Sequence, residues 1–207
     1  MSESRGVRLV AFDLDGTLVR GPTICETLAL PLGKLPRMKE IEQLRDPAQI
    51  RAARHEMLAW YGDGPLDALC AHLAEVDIAP GAAQAFEMLA KRGLPTVIVS
   101  ITWSFAVASF ARRFGADAWV GTEVDNAREI NHFWPSDKPV WLRDYAAQRG
   151  IDMAEVAAVG DSPGDVPMLA AAGHPIFVGA SLPAEIGHAV HAPNPDLRDV
   201  ADLILAR

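Results

Sequence analysis

Cysteine is scarce in this chain, with Cys25 and Cys70 the only two among 207 residues. Two thiols do not make a disulfide framework. With no basic-then-apolar leader ahead of the first apolar segment, the expected setting is a reduced, cytoplasmic compartment. Positive charge is also in short supply, since 19 Lys and Arg face 27 Asp and Glu for a net charge of −8. Nucleic acid or an anionic membrane surface demands a basic patch, so neither is expected as a partner, and any phosphate has to be handled locally. A long apolar run is missing as well. Residues 93–111 carry no charge, but Pro95, Ser100, Thr102 and Ser104 interrupt them, and they divide into a strand followed by a helix rather than a membrane span. No internal repeat or low-complexity segment is present.

What is there is apolar and regular. Half of the residues are hydrophobic, enough at this length for one compact domain with a modest second lobe. The run VRLVAF at residues 7–12 is short, rich in β-branched residues and apolar nearly throughout, as a strand covered on both faces should be. Similar runs recur at PTVIVS, DAWVG, EVAAVG and PIFVG. Between them lie helical patterns such as GAAQAFEMLAKRG. There Ala82, Phe86, Leu89 and Ala90 are expected to face inward, Gln84, Glu87 and Lys91 outward, and Gly93 to close the C-terminus. This alternation predicts an α/β fold, a Rossmann-like parallel sheet with helices on both faces and right-handed crossovers. Ligands in such sheets gather beyond the carboxyl ends of the strands, which is where Asp13 and Asp15 fall.

Residues 19–79 break the rhythm. They contain no convincing strand, yet they show helix starts at DPAQI and GPLDAL, each with proline at the first helical position. They read as an all-helical cap inserted into a core made of residues 1–18 and 80–207, with glycine- and proline-bearing hinges at 19–22 and 78–81.

The fragment DLDGT alone is also what a turn looks like, since aspartate and glycine both favour turn geometry. Ser100 alone reads as a helix cap, Lys138 as a solvated helix residue and GDSPGD as a loop. The weight lies in the set: DLDGT, VIVSIT with Ser100 and Thr102, SDKPVWL with Lys138, and GDSPGD with Asp161 and Asp165 fall in order at the ends of four expected strands. Several carboxylates gathered with one lysine are costly unless a divalent cation neutralises them, and hard oxygen donors of this kind suit Mg²⁺.

This set of four motifs resembles the haloacid dehalogenase-like superfamily, specifically its phosphatases with a helical cap in the phosphoserine phosphatase-like branch. The resemblance implies that Asp13 is a nucleophile that forms an aspartyl-phosphate and that Asp15 is the general acid and base. It implies that Ser100, Ile101 and Lys138 bind the phosphoryl group. It further implies that Asp13, Asp161 and the Asp15 carbonyl hold Mg²⁺, with Asp165 in an outer metal or orienting role. The presence of Asp15 favours phosphate-ester hydrolysis or phosphomutation over dehalogenation. The implied substrate is a small phosphorylated metabolite and the implied state a monomer or homodimer. L-phosphoserine phosphatase proper and a phosphotransferase of the same fold are the alternatives, with a catalytically silent phosphate-binding module as the non-enzymatic one.

The chain departs from that branch in places that face substrate. The glutamate expected after the first motif falls at about Pro22, with Glu26 a turn further on. The second motif reads Ser100, Ile101, Thr102 where serine and two glycines are usual, and Gly164 stands in place of an asparagine. Specificity is therefore expected from the cap, where Arg51, Arg54 and His55 share one helix face that either meets an anionic substrate group or is simply solvated. His132, Phe133 and Trp134 line the pocket mouth or form a hairpin tip or partner contact, with no catalytic role assigned. His72, His174, His188 and His191 show no shared metal-ligand spacing and read as packing or surface residues. Cys25 and Cys70 read as apolar fillers of the cap.

Overall fold

The structure, a computed structural model, describes residues 6–207. Residues 1–5, which the sequence places at the start of the core, lie outside the described residues. The first strand, β1 (Leu9–Phe12), is buried along its whole length and begins two residues later than the apolar run. Its side chains alternate between two apolar clusters, Val10 and Phe12 on one face of the sheet and Leu9 and Ala11 on the other.

The insertion comes next as three helices, α1 (Ile24–Ala29), α2 (Leu35–Ile41) and α3 (Pro47–Trp60), and a 3₁₀ segment, Leu66–Leu73. Helix α3 starts as its sequence predicts: Asp46 accepts from the amides of Ala48 and Gln49, and Pro47 is the first helical residue. At GPLDAL the outcome differs. Pro65 is the residue before the helical segment, no side chain caps it, and the segment winds as 3₁₀ rather than α. The two connections to the insertion run side by side: the Ala79 amide donates to Leu18 and the Arg20 amide to Asp77, at 2.9 and 2.7 Å. The apolar cluster on that face of the sheet is continuous with the insertion, running from Phe12 and Phe86 to Leu28, Met38, Ile41 and Met57.

The chain returns through α4 (Ala82–Lys91) to β2 (Thr96–Trp103), α5 (Ser104–Phe114), β3 (Ala118–Val124) and β4 (Ile130–Asn131). It ends with α6 (Lys138–Ala147), β5 (Val156–Gly160), α7 (Val166–Ala171), β6 (His174–Phe177), β7 (Val190–His191) and α8 (Leu197–Leu205). In α4 the inward residues are Ala82, Ala85, Phe86 and Leu89, and Ala90 is exposed. Residue 90 lies one step around the helix from Leu89 and so leaves the stripe that Ala85 completes. Gly93 does stand just past the end, with φ +70° and its amide on the Ala90 carbonyl.

The seven strands are ordered β4-β3-β2-β1-β5-β6-β7. All neighbours are parallel except the β3–β4 hairpin. Strand β2 runs three residues beyond the PTVIVS motif, because its register against β3 shifts between Val99 and Trp103 and pairing resumes at Trp103 and Thr122. An irregularity of this kind re-aims side chains, and it falls on Ser100. No helix among the described residues is long and apolar enough to cross a membrane.

Candidate active site

Asp13 follows the last residue of β1, and its amide still bonds to the Val159 carbonyl of the neighbouring strand at 2.9 Å. The sheet therefore holds its carboxylate at the carboxyl edge, where only 5% of the residue is exposed. Lys138, the first residue of α6, reaches the same point with 2% exposure. Its Nζ donates to Asp13 Oδ1 at 2.7 Å and to Asp165 Oδ1 at 2.6 Å. Asp165 closes the turn after β5, where its Oδ2 accepts from the amides of Asp161 and Ser162 and from the Ser162 hydroxyl. Asp161 accepts from the Thr17 hydroxyl at 3.1 Å.

Gly16 makes this convergence possible. It holds φ +83°, and a Cβ there would collide with the Asp161 carboxylate, so any other residue would displace that carboxylate from its place beside the first motif. Asp13, Asp161 and Asp165 each present an oxygen within 4.8 Å of the others. Three carboxylates against one ammonium leave a deficit of positive charge, which is the condition that a divalent cation satisfies. The donors fit such an ion, since all are hard carboxylate oxygens.

The electrostatics agree with that crowding. Burial, then the Asp165 charge, pushes the Asp13 carboxyl well above the usual carboxylate range, with Lys138 opposing. Burial and Asp165 raise Asp161 to about 6. Burial raises Asp15 to about 7, against the Ile24 amide that donates to its Oδ1 at 2.7 Å. Burial works against the Lys138 ammonium, yet the charges of Asp13 and Asp165 hold it above its ordinary value. A carboxyl poised near neutrality can both give and take a proton.

Above these groups lies a cavity of about 450 Å³. Asp13, Asp15, Ser100, Ile101 and Lys138 all border it, while Asp161 and Asp165 sit behind. Ser100 is 1% exposed, and its hydroxyl accepts from the Thr102 amide at 3.4 Å.

Of the cap residues singled out from sequence, Arg54 borders the cavity and Arg51 and His55 do not. On the shared helix face Arg51 and His55 are exposed, and Arg54 is half-buried at the cavity. Arg54 Nη2 donates to the carbonyls of Ile101 and Phe133, both at 3.2 Å, and Nη1 meets His132 Nδ1 at 3.1 Å. The guanidiniums of Arg51 and Arg54 lie 5.0 and 4.7 Å from the Trp134 ring centre, and His55 packs against His132. The segment from His132 to Trp134, just after the β3–β4 hairpin, is thus the seat on which α3 rests. Burial, then the two arginines, lowers His132 to about 4, so it stays neutral there.

Pro22 and Glu26 border a separate cleft beside α1, and Glu26 is engaged in capping, its Oε2 accepting from the Thr23 amide at 3.1 Å. Cys25 is not a plain filler: its thiol lies 3.3 Å from the Thr102 hydroxyl and borders the cavity, with burial pushing it up to about 12. Cys70 contacts the Phe105 carbonyl.

Sequence reasoning passed over Thr17, Thr23, Glu42 and Ser162. Thr23 and Glu26 form a capping box that the pattern T-x-x-E announces. Glu42 carries no such signal, as one acid among several on a polar stretch.

The family model for haloacid dehalogenase-like hydrolases matches residues 10–170. Phosphoserine phosphatase SerB2 of Mycobacterium tuberculosis is 29% identical over 211 residues, covering 98% of this chain and 48% of that protein. Phosphoserine phosphatase of Streptococcus thermophilus is 25% identical over 213 residues, covering 99% of this chain and 98% of that one. The chain thus spans about half the length of the first and nearly all of the second. A solved phospho-aspartyl intermediate analogue of phosphoserine phosphatase superposes with a TM-score of 0.77 at 21% identity, covering 96% of this chain and 99% of that one, so the fold is shared.

Proposed function

The chain belongs to the haloacid dehalogenase-like hydrolase family, and on that premise we propose that it is a phosphatase similar to the phosphoserine phosphatases, hydrolysing a small phosphorylated metabolite through an aspartyl-phosphate on Asp13. The observation that carries this reading is the buried Lys138 bridging Asp13 and Asp165 beneath a cavity.

In the first half-reaction the Asp13 carboxylate attacks phosphorus and the ester P–O bond breaks. Its electron pair goes to the alcohol oxygen, which takes the proton of Asp15. In the second, Asp15 accepts a proton from water, whose oxygen attacks phosphorus, releasing phosphate and restoring the Asp13 carboxylate. The Asp15 carboxyl, raised to about 7, suits both roles. Lys138, Ser100 and Ile101 offset and orient the phosphoryl oxygens. Asp165 acts through Lys138, holding the ammonium against the nucleophile.

Mg²⁺ is the cation we assign to Asp13, Asp161 and the Asp15 carbonyl, with Asp165 behind; when bound it offsets the repulsion between Asp13 and an anionic phosphoryl group. Cap helices covering the cavity exclude bulk water during turnover.

The test is turnover of p-nitrophenyl phosphate with Mg²⁺ and with EDTA, in the native protein and in Asp13→Asn. Activity should require the metal and fall by about a thousandfold or more in the variant. Retention of activity in Asp13→Asn refutes the assignment.

A further inference from the structure

The cavity has two unlike halves. Its floor is committed to the phosphoryl group under the proposed phosphatase reading, and the assignment of a leaving group to the other half rests on that reading. The cap side is an apolar wall of Met38, Ile41, Leu44, Ile50 and Met57. Set in this wall is one carboxylate, Glu42, partly buried.

Glu42 is badly placed for stability. It stands at the C-terminal cap of α2, where the helix dipole favours a cation and opposes an anion. Its carboxylate accepts from the Thr23 hydroxyl at 2.5 Å, and among the described residues no lysine or arginine pairs with it. Burial pushes its pKa up, with the Thr23 hydroxyl and the Lys39 charge opposing, and its field reaches Asp15 inside the same cavity. A carboxylate on an apolar wall is unfavourable unless a partner arrives.

Besides Lys138, the cations that border the cavity are Arg45 and Arg54, and neither pairs with Glu42. Arg54 is engaged by Ile101, Phe133 and His132 and lies over Trp134. Arg45 is exposed, and its Nη1 donates to the carbonyls of its own loop at Glu42 and Leu44. At this exposed rim of the cavity solvent and salt screen its charge.

We infer that the leaving alcohol carries a cationic amine on a mostly apolar body, with the ammonium seated on Glu42 and the body against Met38, Ile41 and Met57. The substrate class is a phosphorylated amino alcohol without a carboxylate. Glu42 is its specificity determinant.

The experiment uses a homologous series of aminoalkyl phosphates, each beside the alkyl phosphate in which a methyl group replaces the ammonium, together with L-phosphoserine and p-nitrophenyl phosphate. The readout is the ratio of kcat/KM within each pair, which does not depend on the fraction of folded enzyme. The best aminoalkyl phosphate should exceed its methyl partner by about tenfold or more, as a charge-assisted contact implies. Glu42→Gln, which keeps an acceptor for Thr23, should bring that ratio down by about tenfold, and Glu42→Asp should retain most of it. A ratio near one throughout the series, a ratio unmoved by Glu42→Gln, or L-phosphoserine outrunning every amine overturns the inference while p-nitrophenyl phosphate is still turned over. Absence of that turnover in the native protein overturns the phosphatase reading and this inference with it.

Discussion

Replacing Lys138 with methionine removes the ammonium and keeps most of the side-chain volume, so it isolates the electrostatics of the site. At 2.7 and 2.6 Å the two contacts of Nζ are each worth about 6 kcal/mol of Coulomb attraction at an effective dielectric of about 20. Most of that is offset by the desolvation of an ammonium only 2% exposed. What is left is the cost of stranding two carboxylates, which for buried pairs that lose one partner is about 3–5 kcal/mol. For a chain of 207 residues that corresponds to a melting temperature lower by about 10 °C. The assay is thermal unfolding followed by circular dichroism near neutral pH, first in EDTA and then in Mg²⁺. The loss should appear in full in EDTA. Mg²⁺ should raise the variant's midpoint more than the native one, since an uncompensated acidic cluster binds a cation more tightly and binding to the folded state alone adds stability. A variant that melts with the native protein in EDTA, or that gains no more from Mg²⁺ than the native protein does, refutes the charge-deficit argument.

Other outcomes are set by the same geometry. Asp15 and Asp161 have folded pKa values near 7 and 6, above the ordinary 3.8, so the folded form binds their protons more tightly than the unfolded form. Their contribution to stability is present in full below about pH 4 and is lost as pH rises through about 6 to 7. In EDTA the urea midpoint should therefore fall between about pH 5 and pH 7.5, and a rise over that interval contradicts the shifts. Gly16→Ala places a methyl group on the Asp161 carboxylate at a positive φ, so p-nitrophenyl phosphate turnover should drop by about a hundredfold or more while the sheet survives; near-native activity excludes the close approach. Arg54→Ala frees the carbonyls of Ile101 and Phe133 and unseats α3. It should lower kcat/KM for unrelated phosphate esters alike, by about tenfold, and a loss confined to one substrate would instead make Arg54 a ligand for that substrate.

Much of this protein was written locally. Apolar runs of four to eight residues, Pro47 after Asp46 and Gly93 beyond the last turn of α4 act within a few positions of themselves, so strand, helix and stop could be read without knowing what lies next door. The same holds for the placement of Asp13 at a strand end and of the acidic turn after β5. Where packing at a distance intervenes, the pattern was silent or misleading. Strand β2 runs on to Trp103 because β3 offers Thr122 as a partner, and Cys25 faces the cavity because Thr102 is there. That Arg51 and Arg54 of α3 lie over Trp134 could not be read from the helix itself, since Trp134 is distant in sequence and only the tertiary fold brings it there. Glu42 shows the limit most clearly. Its residue type and spacing are those of any helix-end acid, and only the apolar wall around it and the lack of an ion pair among the described residues give it meaning. Backbone preference and short-range periodicity are properties of neighbours along the chain, whereas the field at a carboxylate is the sum over groups that the fold alone brings near.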